Sequence, residues 1–405
     1  MNVLHINQSD IIGGASIAGY RLHEGLLAQG VDSRLLVGKE TISSDRVTTI
    51  KRNPLEKQLG SITWRLGLNY IHCVSTFNIP KHSFYKEADV LNFHNLHSGY
   101  FNYLALPKLT QNKPAVVTLH DMWSFTGHCA YSYDCDRWKS GCGKCPYPDV
   151  YPPIKLDNTR LEWQMKNWAY HRSNLTIVSP SNWLTKLAGS SLLNRFPIHW
   201  IPNGIDTEVY QPLDREHCRS VLNIPKQKKV LMFGADTIID FRKGGDLLLK
   251  ALASLQPSLK AQTLLLILGN GGEAIVEEIG IQTLNLGYVG SDRFKSIAYS
   301  AADLFIFPTR ADNLPLMLQE SLSCGLPIVS FNLGGVPDLV RPGVTGYLAV
   351  AEDIKDFSYG IIQLLEDQNL RDRMSHQCRD IALQEYSLAL QAQRYIDLYR
   401  AIQNQ

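Results

Sequence analysis

Short apolar runs recur along this chain, and longer stretches with apolar residues every three or four positions follow several of them. The first half carries such runs at Val3–Ile6, Ser33–Val37, Val90–Phe93, Ala115–Leu119 and Leu175–Val178. Each is short and apolar or β-branched, which predicts a strand. Helical periodicity follows at Ala15–Ala28 and Phe101–Leu109. A second series opens at Lys229–Phe233, with a helix over Asp246–Leu255, and continues through Leu264–Leu268, Leu304–Phe307 and Ile328–Phe331. Alternation of this kind predicts an α/β class with parallel sheets built from βαβ units. No internal repeat or low-complexity tract interrupts it.

At 405 residues the chain exceeds one ordinary core, and two domains of about 200 residues each are expected. The turn formers in Trp200-Ile201-Pro202-Asn203-Gly204-Ile205-Asp206, followed by Pro212, mark the linker between the two series. With 44% apolar and 19% charged residues the composition is globular. A formal charge of +2 gives no footing for nucleic acid, whose binders carry a strong basic excess. No apolar run reaches the roughly 18 residues of a membrane span. The N-terminus opens directly on a strand pattern with no signal peptide, so the expected location is cytoplasmic.

The segment from Thr309 to Val329 carries the most chemistry. Asp312 lies in the loop after the strand Leu304–Phe307, Pro315 stands where a helix can begin, and Glu320 falls about two turns into that helix. A helix N-terminus at a strand end offers free N–H groups and a positive partial charge, which suits a phosphate. Carboxylates on either side suit sugar hydroxyls. A diphosphate flanked by two sugars describes a nucleotide-sugar donor.

An acid, seven residues and a glutamate, then Cys-Gly-x-Pro-Ile-Val, resembles the paired-acid signature of the retaining family-4 glycosyltransferases. The resemblance covers most of the chain and is densest from Trp200 to Leu348. It implies a GT-B fold, in which two Rossmann-like parallel-sheet domains face each other across a cleft. The expected domains are 1–205, on the acceptor side; 206–385, binding the nucleotide sugar; and a last helix, 386–405, returning to the first domain. The phrase Ile201-Pro202-Asn203-Gly204-Ile205-Asp206 sits at the family's domain junction, which puts the boundary at about residues 202–212. Glu320 matches the glutamate that holds the ribose. Asp312 stands where glutamate is usual, for contact with the donor sugar, and Asn313, Leu314 and Pro315 lead into the phosphate-binding helix end.

Arg242-Lys243-Gly244-Gly245 resembles the family's basic diphosphate site, with Lys243 matching its lysine. The family's Gly-Arg phrase is here Gly234-Ala235, so Arg242 is the substitute. Gly269, in Gly269-Asn270-Gly271-Gly272, together with Tyr288 and Val289, marks the neighbourhood of the base. Gly13 and Gly14, between the first strand and its helix, allow close approach of phosphate or sugar to backbone. His120 matches a histidine that contacts the donor sugar near the reacting carbon. His94 and His97 are read as acceptor-side residues. The catalytic set expected from the resemblance is therefore His120, Asp312, Lys243 and Arg242.

Four of the eight cysteines, Cys129, Cys135, Cys142 and Cys145, crowd into the loop 122–153 with the spacing C-x5-C-x6-C-x2-C. In a reducing compartment this favours metal over disulfides, and four thiolates can close a structural zinc site. Two disulfides, four free thiols and an iron–sulfur centre are the alternatives. A subset of bacterial polysaccharide glycosyltransferases is similar in this loop, which follows His120 and is expected to shape the acceptor side. No catalytic cofactor is expected.

Between residues 51 and 70, basic residues interleave with Ile62, Trp64, Leu66, Leu68 and Tyr70. This gives a candidate peripheral membrane contact, or a helix packed on its own domain. The reading is a retaining glycosyltransferase moving a sugar from a nucleoside-diphosphate donor to a glycan or lipid-linked hydroxyl, in surface polysaccharide or glycolipid assembly. A GT-B epimerase or hydrolase and an inactive sugar-nucleotide-binding protein are the rivals. A dinucleotide dehydrogenase is disfavoured because Gly13-Gly14 lacks the G-x-G-x-x-G spacing.

Overall fold

A computed structural model describes residues 1–238, 240–272 and 280–404. The chain divides into two compact units, Met1–Gly204 with Ala389–Gln405, and Ile205–Leu388. Among the described residues no helix is long and apolar enough to cross a membrane.

The first unit holds a seven-stranded sheet: β1 (Asn2–Ser9), β2 (Asp32–Lys39), β3 (Val47–Thr49), β4 (Val90–His94), β5 (Ala115–Thr118), β6 (Thr176–Ser179) and β7 (Ile198–Trp200). The order is β3-β2-β1-β4-β5-β6-β7 and every pairing is parallel. Strands β4, β5 and β6 are buried along their whole length, as a parallel sheet covered on both faces requires. The closing helix Leu388–Gln403 covers part of one face. Its Ala392, Tyr395, Ile396 and Tyr399 pack with Val3, Leu22, Val90 and Val116. Its two tyrosines also satisfy buried polar groups of the sheet. Asn92 Nδ2 donates to Tyr399 Oη at 2.8 Å, and Tyr395 Oη lies 3.0 Å from Thr118 Oγ1.

The second unit holds β8 (Lys229–Thr237), β9 (Thr263–Asn270), β10 (Gln282–Asn285), β11 (Leu304–Phe307), β12 (Ile328–Phe331) and β13 (Gly346–Ala349), in the order β10-β9-β8-β11-β12-β13. Side chains alternate between two cores, as strand geometry demands. Leu231, Phe233, Leu265, Ile267, Leu304 and Ile306 enter one core; Val230, Met232, Leu264, Leu266, Phe305 and Phe307 enter the other.

Both sheets are doubly wound. Strand order reverses between β1 and β4 in the first and between β8 and β11 in the second. Crevices outside the carboxyl ends of such strands are where ligands of open α/β sheets bind.

Three local expectations are corrected. The helix read over Phe101–Leu109 is a 3₁₀ turn, Tyr103–Ala105, followed by the short helix Leu106–Leu109. Pro107 lies in that helix's first turn, the only place its missing N–H is harmless. Trp200, read as linker, ends β7. Pro315 caps the helix Leu316–Ser323 from outside with extended backbone rather than opening it.

Candidate active site

In the second unit, the loops after β8 and β11 bring Arg242, Lys243 and Asp312 together. Lys243 Nζ lies 2.6 Å from Asp312 Oδ2, and Arg242 Nη1 lies 3.2 Å from the same oxygen. Arg242 Nη1 also donates to Ala311 O at 3.0 Å, and Asp240 Oδ1 accepts from Arg242 N at 2.9 Å. The loops are stitched together by Arg310 N and Thr309 Oγ1, both donating to Arg242 O. Gly244 lets this happen. Its φ is +71°, and a Cβ there would sit 1.9 Å from Pro308 O, so no other residue fits the turn between the cations and the helix Gly245–Ala253.

Burial pushes the Asp312 carboxyl up, but Lys243 and Arg242 outweigh it and hold it below the usual range. Burial pulls Lys243 down, and Asp312 opposes that shift. The cluster is thus a charged, partly desolvated set at a helix N-terminus. Asp312, expected to face the donor sugar, is engaged here by the two cations expected to face the diphosphate. Asn313, Leu314 and Pro315 are buried in the approach to the helix. Glu320, on that helix, accepts from the buried Tyr299 hydroxyl at 3.1 Å. Gly269 N donates to Gly287 O at 2.8 Å, which places the glycine turn beside Tyr288 and Val289. Tyr288 is exposed, whereas Val289 packs against the core.

In the first unit, Gly13 (φ +84°) caps the helix Gly14–Ala28, and no side-chain hydrogen bond closes that end. A Cβ at Gly13 or Gly14 would meet nothing within 4 Å, so the helix end is open. Asp10 holds the loop in place by accepting from Ile11 N, Thr41 N, Thr41 Oγ1 and Ile42 N at 2.6–2.8 Å.

His120 ends a ladder of imidazoles. His5 Nδ1 lies 2.9 Å from His94 Nε2, and His94 Nδ1 lies 3.1 Å from His120 Nε2. Burial pulls His5 down to about 3 and His120 to about 4, and His94 well below its ordinary value. All three are neutral at pH 7, so each has one N–H to give and the ladder must run head to tail. His5 Nε2 is buried without a partner. Placing the lone pair there, the less costly orphan, makes His5 and His94 donors and leaves Nδ1–H on His120.

The neighbouring Asp121 belongs to a different network. Its Oδ1 accepts from Trp123 N at 2.8 Å and its Oδ2 lies 2.7 Å from His97 Nε2. His97 Nδ1 lies 2.9 Å from Ser98 Oγ, which lies 2.8 Å from Tyr151 Oη. Sequence reasoning assigned nothing to Asp121, Ser98 or Tyr151. The available signal was that His97 and Asp121 follow adjacent strands, β4 and β5.

The cysteine loop is held to the unit by Lys166, whose buried Nζ donates to Trp123 O and Thr126 O and lies 3.5 Å from the centre of the Trp123 indole. Cys145 Sγ lies 3.1 Å from His128 Nε2, and Cys142 Sγ accepts from Gly127 N at 3.2 Å. The donor types suit zinc. As placed, however, no three His, Cys, Asp or Glu side chains among the described residues form a group able to hold a metal ion.

Two family descriptions match this architecture in tandem, Glycosyltransferase Family 4 over residues 12–209 and Glycosyl transferases group 1 over residues 214–380. The chain is a GT-B glycosyltransferase and belongs to family 4. It is 29% identical to the putative colanic acid biosynthesis glycosyl transferase WcaC of Escherichia coli K12, over 82% of this chain and 83% of that one. Its fold matches sucrose-phosphate synthase from Thermosynechococcus elongatus (TM-score 0.74, 17% identity, 99% of each chain). Anabaena HepE in complex with UDP-glucose also matches (TM-score 0.70, 16% identity, 99% of this chain and 100% of that one).

The buried histidines make a prediction about pH. In the unfolded chain they titrate near 6.5; in the fold burial pulls His5 to about 3, His23 and His120 to about 4, and His94 well below 6.5. As pH falls from 6.5 toward 4, the unfolded state binds more protons and stability drops, by up to roughly 1.4 kcal/mol per pH unit for each histidine. Glu162, pushed up to about 7 by burial, works the other way, one group against four. The melting temperature should therefore fall steadily from pH 6.5 to 4.5, and less steeply in His94→Gln. A flat profile would contradict the neutral ladder.

Proposed function

We propose that this enzyme is a retaining glycosyltransferase that takes a sugar from a nucleoside-diphosphate donor and places it on a hydroxyl of a glycan or lipid-linked acceptor, in surface polysaccharide or glycolipid assembly. The observation that carries the reading is the Arg242–Lys243–Asp312 cluster at the carboxyl ends of β8 and β11, beside the N-terminus of Leu316–Ser323. A leaving diphosphate develops charge, and fixed cations with a helix dipole oppose it with little reorganisation. On this reading Glu320 holds the ribose and Asp312 the donor sugar in the second unit; in the first unit, His120 and the open backbone at Gly13–Gly14 are the groups suited to a sugar. UDP-glucose bound to HepE supports a nucleotide-sugar donor, and the name of WcaC, a putative colanic acid biosynthesis glycosyl transferase, supports a place in polysaccharide assembly.

The test is a thermal-shift screen with uridine, guanosine and adenosine diphosphate sugars. One donor should raise the melting temperature, and Lys243→Ala or Glu320→Ala should weaken its binding at least about tenfold, since charge-assisted hydrogen bonds are the strong ones. Undiminished binding in both variants would remove the site assignment. Donor breakdown that is indifferent to every acceptor would favour the epimerase or hydrolase instead.

We propose two accessory features. The cysteine loop binds a structural zinc: its four thiols share one short segment and His128 adds a fifth soft donor. Metal analysis of purified protein should give about one zinc per chain. Four freely titrating thiols and no metal would refute it.

The second is peripheral docking on the inner face of an anionic membrane. The helix Glu56–Arg65 and its cap Leu66 leave Ile62 56%, Trp64 49% and Leu66 45% exposed; Lys155 Nζ lies 5.2 Å from the Trp64 ring, and Lys51, Lys57 and Arg65 are exposed on the same segment. Phosphatidylglycerol vesicles should pellet the protein at low salt, neutral vesicles should not, and Ile62→Asp with Trp64→Ser should release it. Equal behaviour with both lipids would defeat the docking.

A further inference from the structure

With a neutral imidazole at His97, the chain Asp121–His97–Ser98–Tyr151 runs in one direction. Asp121 is an anion, held below the usual carboxylate range chiefly by His97 against the opposing effect of burial, and it can only accept. His97 Nε2 therefore carries a hydrogen, and in the neutral imidazole Nδ1 is the acceptor that takes the single proton of Ser98. Toward solvent, Ser98 Oγ is then an acceptor only. One lone pair takes the Tyr151 hydroxyl proton; the second is open.

Two further observations mark this as a built site. Ser98 has φ +75°, a left-handed backbone that costs a non-glycine residue energy and persists only where surroundings enforce it. Tyr151, at the far end of the cysteine loop, is 55% exposed although its hydroxyl is tied to Ser98 and its ring meets His97 edge-on at 5.6 Å. The loop is pinned there by Ala130 N donating to Tyr151 O at 2.9 Å, and by His128 Nδ1 lying 2.9 Å from Pro152 O. The result is an aromatic face beside an oriented, acceptor-only oxygen.

We propose that Ser98 and Tyr151 form the subsite for the acceptor sugar, which rests on the transferase reading above. The acceptor ring lies on the exposed face of Tyr151, and the hydroxyl to be glycosylated donates a hydrogen bond to Ser98 Oγ; as its oxygen bonds to the donor sugar and the sugar–phosphate bond breaks, its proton passes to the departing diphosphate. That hydrogen bond turns the hydroxyl's lone pairs outward as the nucleophile. His97 and Asp121 are positioning residues that keep Ser98 from acting as a competing donor. The cysteine loop thereby gains a function, as the arm that carries Tyr151 to the strand ends.

The full chain is assayed with the donor that gives the thermal shift and a panel of p-nitrophenyl glycosides as acceptors. Ser98→Gly removes the hydroxyl while relieving the positive φ, and Tyr151→Ala removes an exposed ring, so both variants should fold. Each should raise the acceptor KM roughly tenfold, the scale of one lost hydrogen bond or stacking contact, with donor KM unchanged. Tyr151→Phe, which keeps the ring, should recover most of the affinity. Unchanged acceptor KM in both variants, or an equal rise in donor KM, overturns the subsite. If the unaltered protein releases no nucleotide with any donor and acceptor, the transferase reading falls and takes the subsite with it.

Discussion

A parallel sheet with helices on both faces has nowhere to do chemistry except at the ends of its strands. Its flanks are dry and its backbone hydrogen bonds are spent within the ladder. In this protein that constraint acts twice. The groups that can bind or polarise a ligand follow β1, β4 and β5 in one unit and β8, β9 and β11 in the other. The residues between those ends, such as Phe305, Ile306 and Phe307, are fully buried core. Their role is to hold the loops that follow at fixed spacing.

Within that frame the second unit uses opposite charges to fix geometry. Asp312, Lys243 and Arg242 would each be costly to bury alone, and together they neutralise one another. The aspartate, one methylene shorter than glutamate, draws the lysine to 2.6 Å and still reaches the arginine at 3.2 Å. Arg242 is pinned by Asp240 and Ala311 O in addition to Asp312. A diphosphate entering such a set finds cations already ordered, so less entropy is lost on binding.

Much of this was legible in the chain itself. Central strands such as β11, an unbroken apolar run, and β12, broken only by Ser330, match the structure residue for residue. The strands that escaped notice, β3, β7, β10 and β13, are the four edges of the two sheets. Edge strands are short and half solvated, so no apolar run betrays them; β7 has two of its three residues exposed. Motif residues Lys243, Asp312 and Glu320 were readable because glycine and proline fix their local turns. Ser98 and Tyr151 were not, because 53 residues separate them and only the fold of the cysteine loop brings them together. Lys166 was hidden for a related reason: a helical lysine reads as solvated, and its burial shows only when the carbonyls of Trp123 and Thr126 are in place.

The end of β5 shows how one dipeptide can serve two chemistries. His120 and Asp121 are consecutive, yet they enter separate hydrogen-bond chains. His120 is backed by two neutral imidazoles with no charge at the far end. Burial keeps it neutral despite the opposing field of Asp121. Asp121 is an anion that passes its preference through His97 to a hydroxyl, leaving an acceptor at the end. A sugar being transferred needs donors toward its ring oxygens, and an attacking hydroxyl needs an acceptor for its proton. The two adjacent residues, held by different partners just beyond β5, differ in this way. The division depends on buried histidines staying neutral on one side and a buried carboxylate staying charged on the other.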